Sequence, residues 1–272
     1  MITRRGIPVA ALLVSFALWM MPTPAPAAPV TSKCLAVAEN LAPVMRVGFR
    51  TAALANNQLR LTFIGHSTFT IESPEGIRVA TDYAGWHGTG ALPNVVTMNH
   101  AHETHYTDYP DPEIRHVLRG WNPKGGWAEH NLTVGDVYIR NVPTNIRRGD
   151  FAETEKFGNS IFIFEVSGLC IGHLGHLHHE LTAQQLGQIG QLDVVLAPVD
   201  GSWTLDHDGM LNVLKELRAR LVIPMHIFGS LDAFVERLQE RFEVRVSETS
   251  SVILSPATMP KKPQLLILPG GF

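Results

Sequence analysis

The segment Asn99-His100-Ala101-His102-Glu103-Thr104-His105 places three histidines within six residues, directly after an apolar run at 92–98. Imidazole is the commonest protein ligand for zinc and its neighbours. Histidines spaced this closely converge on one ion only where an extended strand opens into a loop. Val95-Val96-Thr97-Met98, rich in β-branched residues and preceded by Pro93-Asn94, supplies that strand. A solvated loop that is merely rich in histidine is the competing reading. It weakens downstream, where Gly172-His173-Leu174-Gly175-His176-Leu177-His178-His179-Glu180 follows an apolar run at 160–171, and His226 follows Leu221-Val222-Ile223-Pro224-Met225. Three strand ends deliver histidines, and the chemistry they point to is metal binding.

Six pieces occur in a fixed order: the hairpin Leu61-Thr62-Phe63-Ile64-Gly65-His66-Ser67-Thr68-Phe69, a strand ending in Thr81-Asp82, the cluster at 100–105, the segment 173–182, the strand end Ala197-Pro198-Val199-Asp200-Gly201, and Ile223-Pro224-Met225-His226. Together, over about 59–228, they resemble the metallo-β-lactamase-fold hydrolases, and within them the branch of the ascorbate-6-phosphate lactonases. The resemblance implies a mixed α/β (α+β) fold, the four-layer αβ/βα sandwich, with metal ligands on loops at one edge. It also implies hydrolysis by a metal hydroxide. Carried over residue by residue, it puts metal ligands at His100, His102, His105, His176 and His226. Asp82 supports a metal-bound histidine by orienting its other ring nitrogen. His179 matches a family histidine and is the candidate proton shuttle, a polar loop neighbour being its alternative.

The chain also departs from the family pattern. Thr104 stands where the first motif has an aspartate, His176 where a carboxylate bridges two metals, and Val142-Pro143 is followed by Thr144-Asn145 rather than by a histidine. Two divalent ions held close together need carboxylate or hydroxide to offset their repulsion, and two carboxylates are gone. A neutral imidazole offers one metal-binding nitrogen and cannot bridge. The expectation is therefore one metal per chain, held by His105, His176 and His226 with an open fourth position, as in catalytic Zn²⁺ sites. His100 and His102 are left at the other position, and a mixed set of His100, His102 and His176 stays open. Imidazoles suit copper, iron and nickel as well.

Other residues are weighed from their positions. Asp200 and Asp206 lie near the strand end at Pro198 and would buttress the site, against a solvated-loop alternative. His173 and His178 flank His176 and, by alternation along an extended segment, point the other way. His66, His87, His116, His130 and His207 lack clustering and read as structural or surface residues. Lys124, Arg147 and Arg148 sit in loops that could meet an anionic substrate, although surface charge is the commoner explanation.

The elements that must position these groups follow from periodicity. Strands are expected at 59–63, 69–71, 77–81, 95–98, 137–142, 160–166, 169–171, 194–197 and 222–224, with a last one at 264–268. Helices fit 183–189, 209–220 and 231–242. Thr182 followed by Gln185 has capping-box spacing, and Ser230 is placed to cap the last helix. Hairpins first, then alternating strands and helices, give two mixed sheets with helices outside.

At the N-terminus, Arg4-Arg5, an apolar run at 7–21 and Ala25-Pro26-Ala27 before Ala28 read as a secretory signal at 1–27, with twin-arginine export as a variant. The run is too short for a membrane anchor, which needs about 18 apolar residues. An extension at 28–58 and the domain at 59–272 follow. Loss of Arg4 and Arg5 takes the formal charge from −3 to −5, so nothing basic points to nucleic acid. The expectation is a periplasmic or secreted protein with a small-molecule substrate and no stable membrane span. Cys34 and Cys170, the chain's two cysteines, are read as separate thiols, Cys170 buried in its strand, although export would permit a disulfide. The function expected is an exported metal-dependent hydrolase of an ester, lactone or phosphoester. A non-catalytic metal- or ligand-binding protein that kept the fold is the alternative, and redox chemistry at a His-ligated iron or copper is a third reading.

Overall fold

Alternation starts the fold. In β1 (Leu59–Gly65) the residues Leu59, Leu61 and Phe63 point inward while their neighbours are half-buried, the pattern of a strand with one face in a core. It turns at His66 and Ser67 into the antiparallel β2 (Thr68–Glu72), and β3 (Arg78–Ala80) adds to β2. From there the strands β4 (Val95–Met98) and β5 (His116–Arg119) run parallel to β3, and β4 is fully buried, as a strand covered on both faces must be. The computed structural model describes residues 32–35, 54–147 and 153–270 of the chain.

The second half builds a larger sheet. The strands β6 (Asn131–Val134), β7 (Val137–Arg147), β8 (Thr154–Val166) and β9 (Leu169–His173) form an antiparallel run. Parallel strands β10 (Val194–Pro198) and β11 (Leu221–Met225) continue from β9, and β12 (Glu243–Val246) and β14 (Gln264–Ile267) close the far side. β13 (Ser251–Leu254) leaves this sheet to pair with β1. The sheet orders are β13-β1-β2-β3-β4-β5 and β12-β14-β11-β10-β9-β8-β7-β6.

The inner faces of the two sheets share one core, in which Leu61, Phe69 and Ile71 meet Ile139, Phe162, Phe164 and Ile223. Burying each large side chain contributes roughly 1.5–3 kcal/mol. Outside the larger sheet, α1 (Ala183–Ile189), α2 (His207–Leu217) and α3 (Leu231–Leu238) cover Ile163, Val195 and Val222 through Ile189, Val213, Leu214 and Phe234. Outside the smaller sheet, Ala80, Val96 and Met98 are covered by loop residues including Tyr83 and Ile114. The expected sandwich of two mixed sheets is present. No helix among the described residues is long and apolar enough to cross a membrane.

Several expectations need correction. α2 begins at His207, because Asp206 accepts from the Gly209 amide and caps it, and it stops at Arg218, which turns left-handed. Ser230 makes no cap; its hydroxyl donates instead to the carbonyls of Val199 and Ile227. The capping box of Thr182 and Gln185 is present. β5, β6, β12 and β13 were not anticipated, and β7 and β8 run five or six residues further than the apolar pattern because each lends the other hydrogen bonds. Cys34 and Cys170 are not separate thiols but a disulfide, with Cα atoms 6.0 Å apart. The geometry that permits it is the docking of residues 32–35: the Lys33 amide donates to Glu165 at 2.8 Å and the Gln191 amide to the Cys34 carbonyl at 3.1 Å. Residues 1–27 and most of the extension at 28–58 lie outside the described residues.

Candidate metal centre

Four strand ends and one hairpin turn meet at one edge of the sandwich. Asp82 follows β3, His102 and His105 follow β4, Asp200 follows β10, His226 follows β11, and His66 sits in the β1–β2 turn. The His226 amide donates to the His66 carbonyl at 2.8 Å, which ties the turn of one sheet to a strand end of the other. His66, Asp82 and His226 all have positive φ, at 52°, 41° and 53°, a conformation that costs a non-glycine residue energy and concentrates at functional sites.

One ring nitrogen from each of His66, His102, His105 and His226 lies within 4.8 Å of the other three. His66 Nε2 and His105 Nε2 are 3.3 Å apart. Ligand atoms about 2.0–2.1 Å from a tetrahedral zinc stand about 3.3–3.4 Å from each other, so this spacing suits a shared ion. His176 completes the wall, its ring centre 5.0 Å from those of His105 and His226 and 5.2 Å from that of His102.

What holds the outer nitrogens decides which way the inner ones face. His105 Nδ1 lies 2.7 Å from Asp82 Oδ2, and a carboxylate can only accept, so the proton sits on Nδ1 and Nε2 presents its lone pair to the cluster. Asp82 is itself fixed by the Asn99 side-chain amide at 2.8 Å. His226 Nδ1 is 2.9 Å from Asp200 Oδ2, an electrostatic contact not aligned as a hydrogen bond. Asp200 is gripped by the amides of Ser202, Trp203 and Thr204. His102 Nδ1 pairs with the Thr104 hydroxyl at 2.8 Å. Thr104, standing where the family motif has an aspartate, thus positions a histidine.

Two buried histidines are left with nitrogens that find no hydrogen-bond partner: both nitrogens of His176, and both of His226, whose Nδ1 has only the charge contact with Asp200. An orphaned buried polar atom is costly, and its usual explanation is an ion or ligand. The set fits a divalent metal ion. Burial also keeps the imidazoles neutral, the form that binds metal. It pushes His176 down to about 2, with His105 and His226 adding to the shift, and His66 down to about 4, with His226 and His102 adding. His105 lies well below its ordinary value and His102 below, burial again being the main cause. Burial raises the Asp82 carboxyl. It opposes ionisation of Asp200 too, but contact with His226 and hydrogen bonds from Thr204 and Ser202 outweigh it and hold that carboxyl below the usual range.

The expected residues divide. The structure brings His102, His105, His176 and His226 together with Asp82 and Asp200 behind them. It does not bring His100, whose Nδ1 turns 2.7 Å to Glu155 Oε1 and whose ring stacks on Trp121 at 4.9 Å. Asn145 is engaged elsewhere, accepting from the Phe157 amide. His179 stands outside the cluster, its Nδ1 on the Glu180 carbonyl and its Nε2 accepting from the Asn145 amide, so both nitrogens are occupied. His66, read as structural or surface, belongs to the cluster. The one signal for it in the sequence is its place in the tight Gly65-His66-Ser67 turn of the hairpin. His173 is buried and bonded to the Ser67 carbonyl, and Asp206 caps α2. Gly175 is required beside the site: at φ +61°, a Cβ there would lie 2.3 Å from Asn159 Oδ1 and 2.4 Å from Asn99 Nδ2. A cleft of about 690 Å³ lies beside α1, between Trp127, Phe157, Pro143 and Gln188, and none of these five histidines lines it.

The family description "Beta-lactamase superfamily domain" matches residues 60–226, more than half of the chain. A UPF0173 metal-dependent hydrolase of Methanoculleus marisnigri is 25% identical over 214 residues, covering 73% of this chain and 94% of its own. One from Desulforamulus reducens is 25% identical over 191 residues, 62% of this chain and 84% of its own. Among solved structures, a candidate Zn-dependent hydrolase of the metallo-beta-lactamase superfamily from Thermotoga maritima superposes with a TM-score of 0.57 at 27% identity, covering 78% of this chain and 100% of that one. Igni18, a metallo hydrolase of Ignicoccus hospitalis, gives 0.53 at 22% identity over 73% and 99%.

Proposed function

Because this chain belongs to the β-lactamase superfamily, as a metal-dependent hydrolase of the metallo-β-lactamase fold, we propose that it is exported and cleaves an ester, lactone or phosphoester at a single zinc ion. The ion would be held by His102, His105, His176 and His226, with His66 beside them; His66 and His102 are half-buried and the other three buried. One observation carries this reading: nitrogens of His66, His102, His105 and His226 converge, with the ring of His176 packed against three of them, while Asp82, Asp200 and Thr104 lie against the outer nitrogens of His105, His226 and His102.

A bound zinc ion supplies Lewis acidity, polarising a carbonyl or phosphoryl oxygen and lowering the pKa of water. The residues do the rest. Asp82 and Asp200 hold imidazoles in the ligating orientation and offset the charge of the ion. His66, half-buried and in ring contact with the exposed Phe228, would be the ligand to give way to substrate. His100, backed by Glu155 and stacked on Trp121, is a fixed imidazole outside the ligand set that would hydrogen-bond to substrate. Export is supported by the N-terminal pattern at 1–27 and by the Cys34–Cys170 disulfide, a bond that persists in oxidising compartments.

A second reading, metal binding without turnover, is favoured by one observation. Five imidazoles packed ring against ring leave little room for an open position. Elemental analysis of protein purified without chelator, followed by assay on phenyl acetate, a γ-lactone and bis(p-nitrophenyl) phosphate, separates the two. About one zinc per chain with turnover supports the hydrolase. Two metals overturn the single-ion proposal, and one metal with no turnover on any of the three selects the second reading.

A further inference from the structure

The exposed aromatic residues are not scattered. Among the described residues the large aromatics left exposed are Trp86, Tyr109, Trp127, Trp203 and Phe228, and each follows the C-terminal end of a strand: β3, β4, β5, β10 and β11 respectively. Four of these ends also deliver the groups of the metal centre, so the chain emits a buried polar residue and then, two to four positions later, an exposed ring: Asp82 then Trp86, His105 then Tyr109, Asp200 then Trp203, His226 then Phe228. An exposed apolar ring beside a polar centre is a usual element of a small-molecule site.

Phe228 packs directly against the histidine cluster. It is 64% exposed, yet its centre lies 4.8 Å from that of His226 and 5.2 Å from that of His66, edge to face with both. Its backbone is left-handed, at φ 39°, and the turn that carries it is pinned by the His226 amide on the His66 carbonyl and by the Ser230 hydroxyl on the Val199 carbonyl. A strained, pinned and exposed phenyl ring gains nothing from burial in the free protein. The charges near the centre point the same way. Asp82 and Asp200 offset a divalent ion, and the Arg147 guanidinium faces the carbonyls of Ser202 and His178, at 3.4 Å each.

We infer that the centre takes an uncharged ester or lactone bearing a long acyl or aryl group, which lies across Phe228, and that Phe228 sets this preference. The inference rests on the metal-centre reading above and names the substrate class within it. Acetohydroxamic and octanohydroxamic acid present the same chelating head with a short or a long tail. Calorimetric titration of the zinc-loaded protein is expected to show the long one binding at least about tenfold more tightly, from methylene burial. Phe228→Asn, which tolerates the left-handed backbone, is expected to remove most of that gain while leaving zinc content and acetohydroxamate affinity unchanged. Equal affinities, a gain that survives Phe228→Asn, or tighter binding of octylphosphonate than of the hydroxamate overturns the inference. So does Phe228-dependent sedimentation with phosphatidylcholine vesicles without a chain-length gain, which would make the exposed rings a membrane surface. A chain-length gain without turnover of any ester sinks the hydrolase reading and supports this one. Turnover indifferent to chain length overturns this one alone.

Discussion

The two histidine-rich runs, 99–105 and 172–180, look alike in composition and behave differently. In the first, His102 and His105 turn inward and His100 turns away; in the second, only His176 turns inward while His173, His178 and His179 bond to backbone groups. The difference lies in what each outer nitrogen meets. Asp82 and Thr104 hold His105 and His102 from behind, Glu155 draws His100 off, and the carbonyls of Ser67, Asn145 and Glu180 take the others. His176 has no such partner and faces only other imidazoles. A histidine's fate here is decided by its neighbours rather than by its place in a motif.

That comparison can be broken by substitution. The largest effect is expected from His226→Ala and His176→Ala, which should each weaken zinc binding by more than about 100-fold, because losing a residue that merely supports a ligand already costs about 10–100-fold. His173→Ala, in the same run as His176, should keep the metal. Equal retention in His173→Ala and His176→Ala, by competition with a chromophoric chelator, would sink the assignment. Next, Asp200→Asn should lower zinc affinity about 10–100-fold, through misorientation of His226.

The pH dependence sharpens the same contrast. Burial, with His105 and His226 beside it, pushes His176 from an ordinary 6.5 down to about 2 in the fold, so protonation favours the unfolded chain. Its neutral state supports the fold fully above pH 6.5, and that support falls as the pH drops from 6.5 toward 2, by about 1.4 kcal/mol per pH unit. Thermal melts of chelator-treated protein should therefore shift downward between pH 6.5 and 4.5, and the shift should shrink in His176→Gln. The smallest effect belongs to His100→Ala, which should leave zinc stoichiometry and affinity unchanged. A loss there comparable to that of His176→Ala would return His100 to the ligand set.

The architecture was largely legible because burial writes itself into local pattern. α1 was bounded correctly by its capping box and apolar spacing, and β4 by its β-branched run. What stayed hidden depends on distant partners. The strand at 154–159, Thr-Glu-Lys-Phe-Gly-Asn, has no strand signature and exists because β7 pairs with it. β13 is drawn to β1 across the chain. In the site, strand ends after apolar runs located most of the cluster, but His66 is marked locally only by its tight hairpin turn, and its role appears when the His226 amide docks on its carbonyl. His100 was misplaced for the complementary reason, since Glu155 comes from a stretch of strand that pattern alone did not reveal.

The bond between Cys34 and Cys170 spans 136 positions of sequence and anchors residues 32–35 to β9 and Glu165. Its consequence shows in how a nicked molecule would look. A protease cut anywhere between positions 36 and 53 separates the chain into two pieces that remain one covalent object, so an oxidised sample would run on a denaturing gel as a single band of full mass. Only after reductant would the small leading fragment leave, which makes the paired lanes of such a gel a direct reading of whether the thiols are joined.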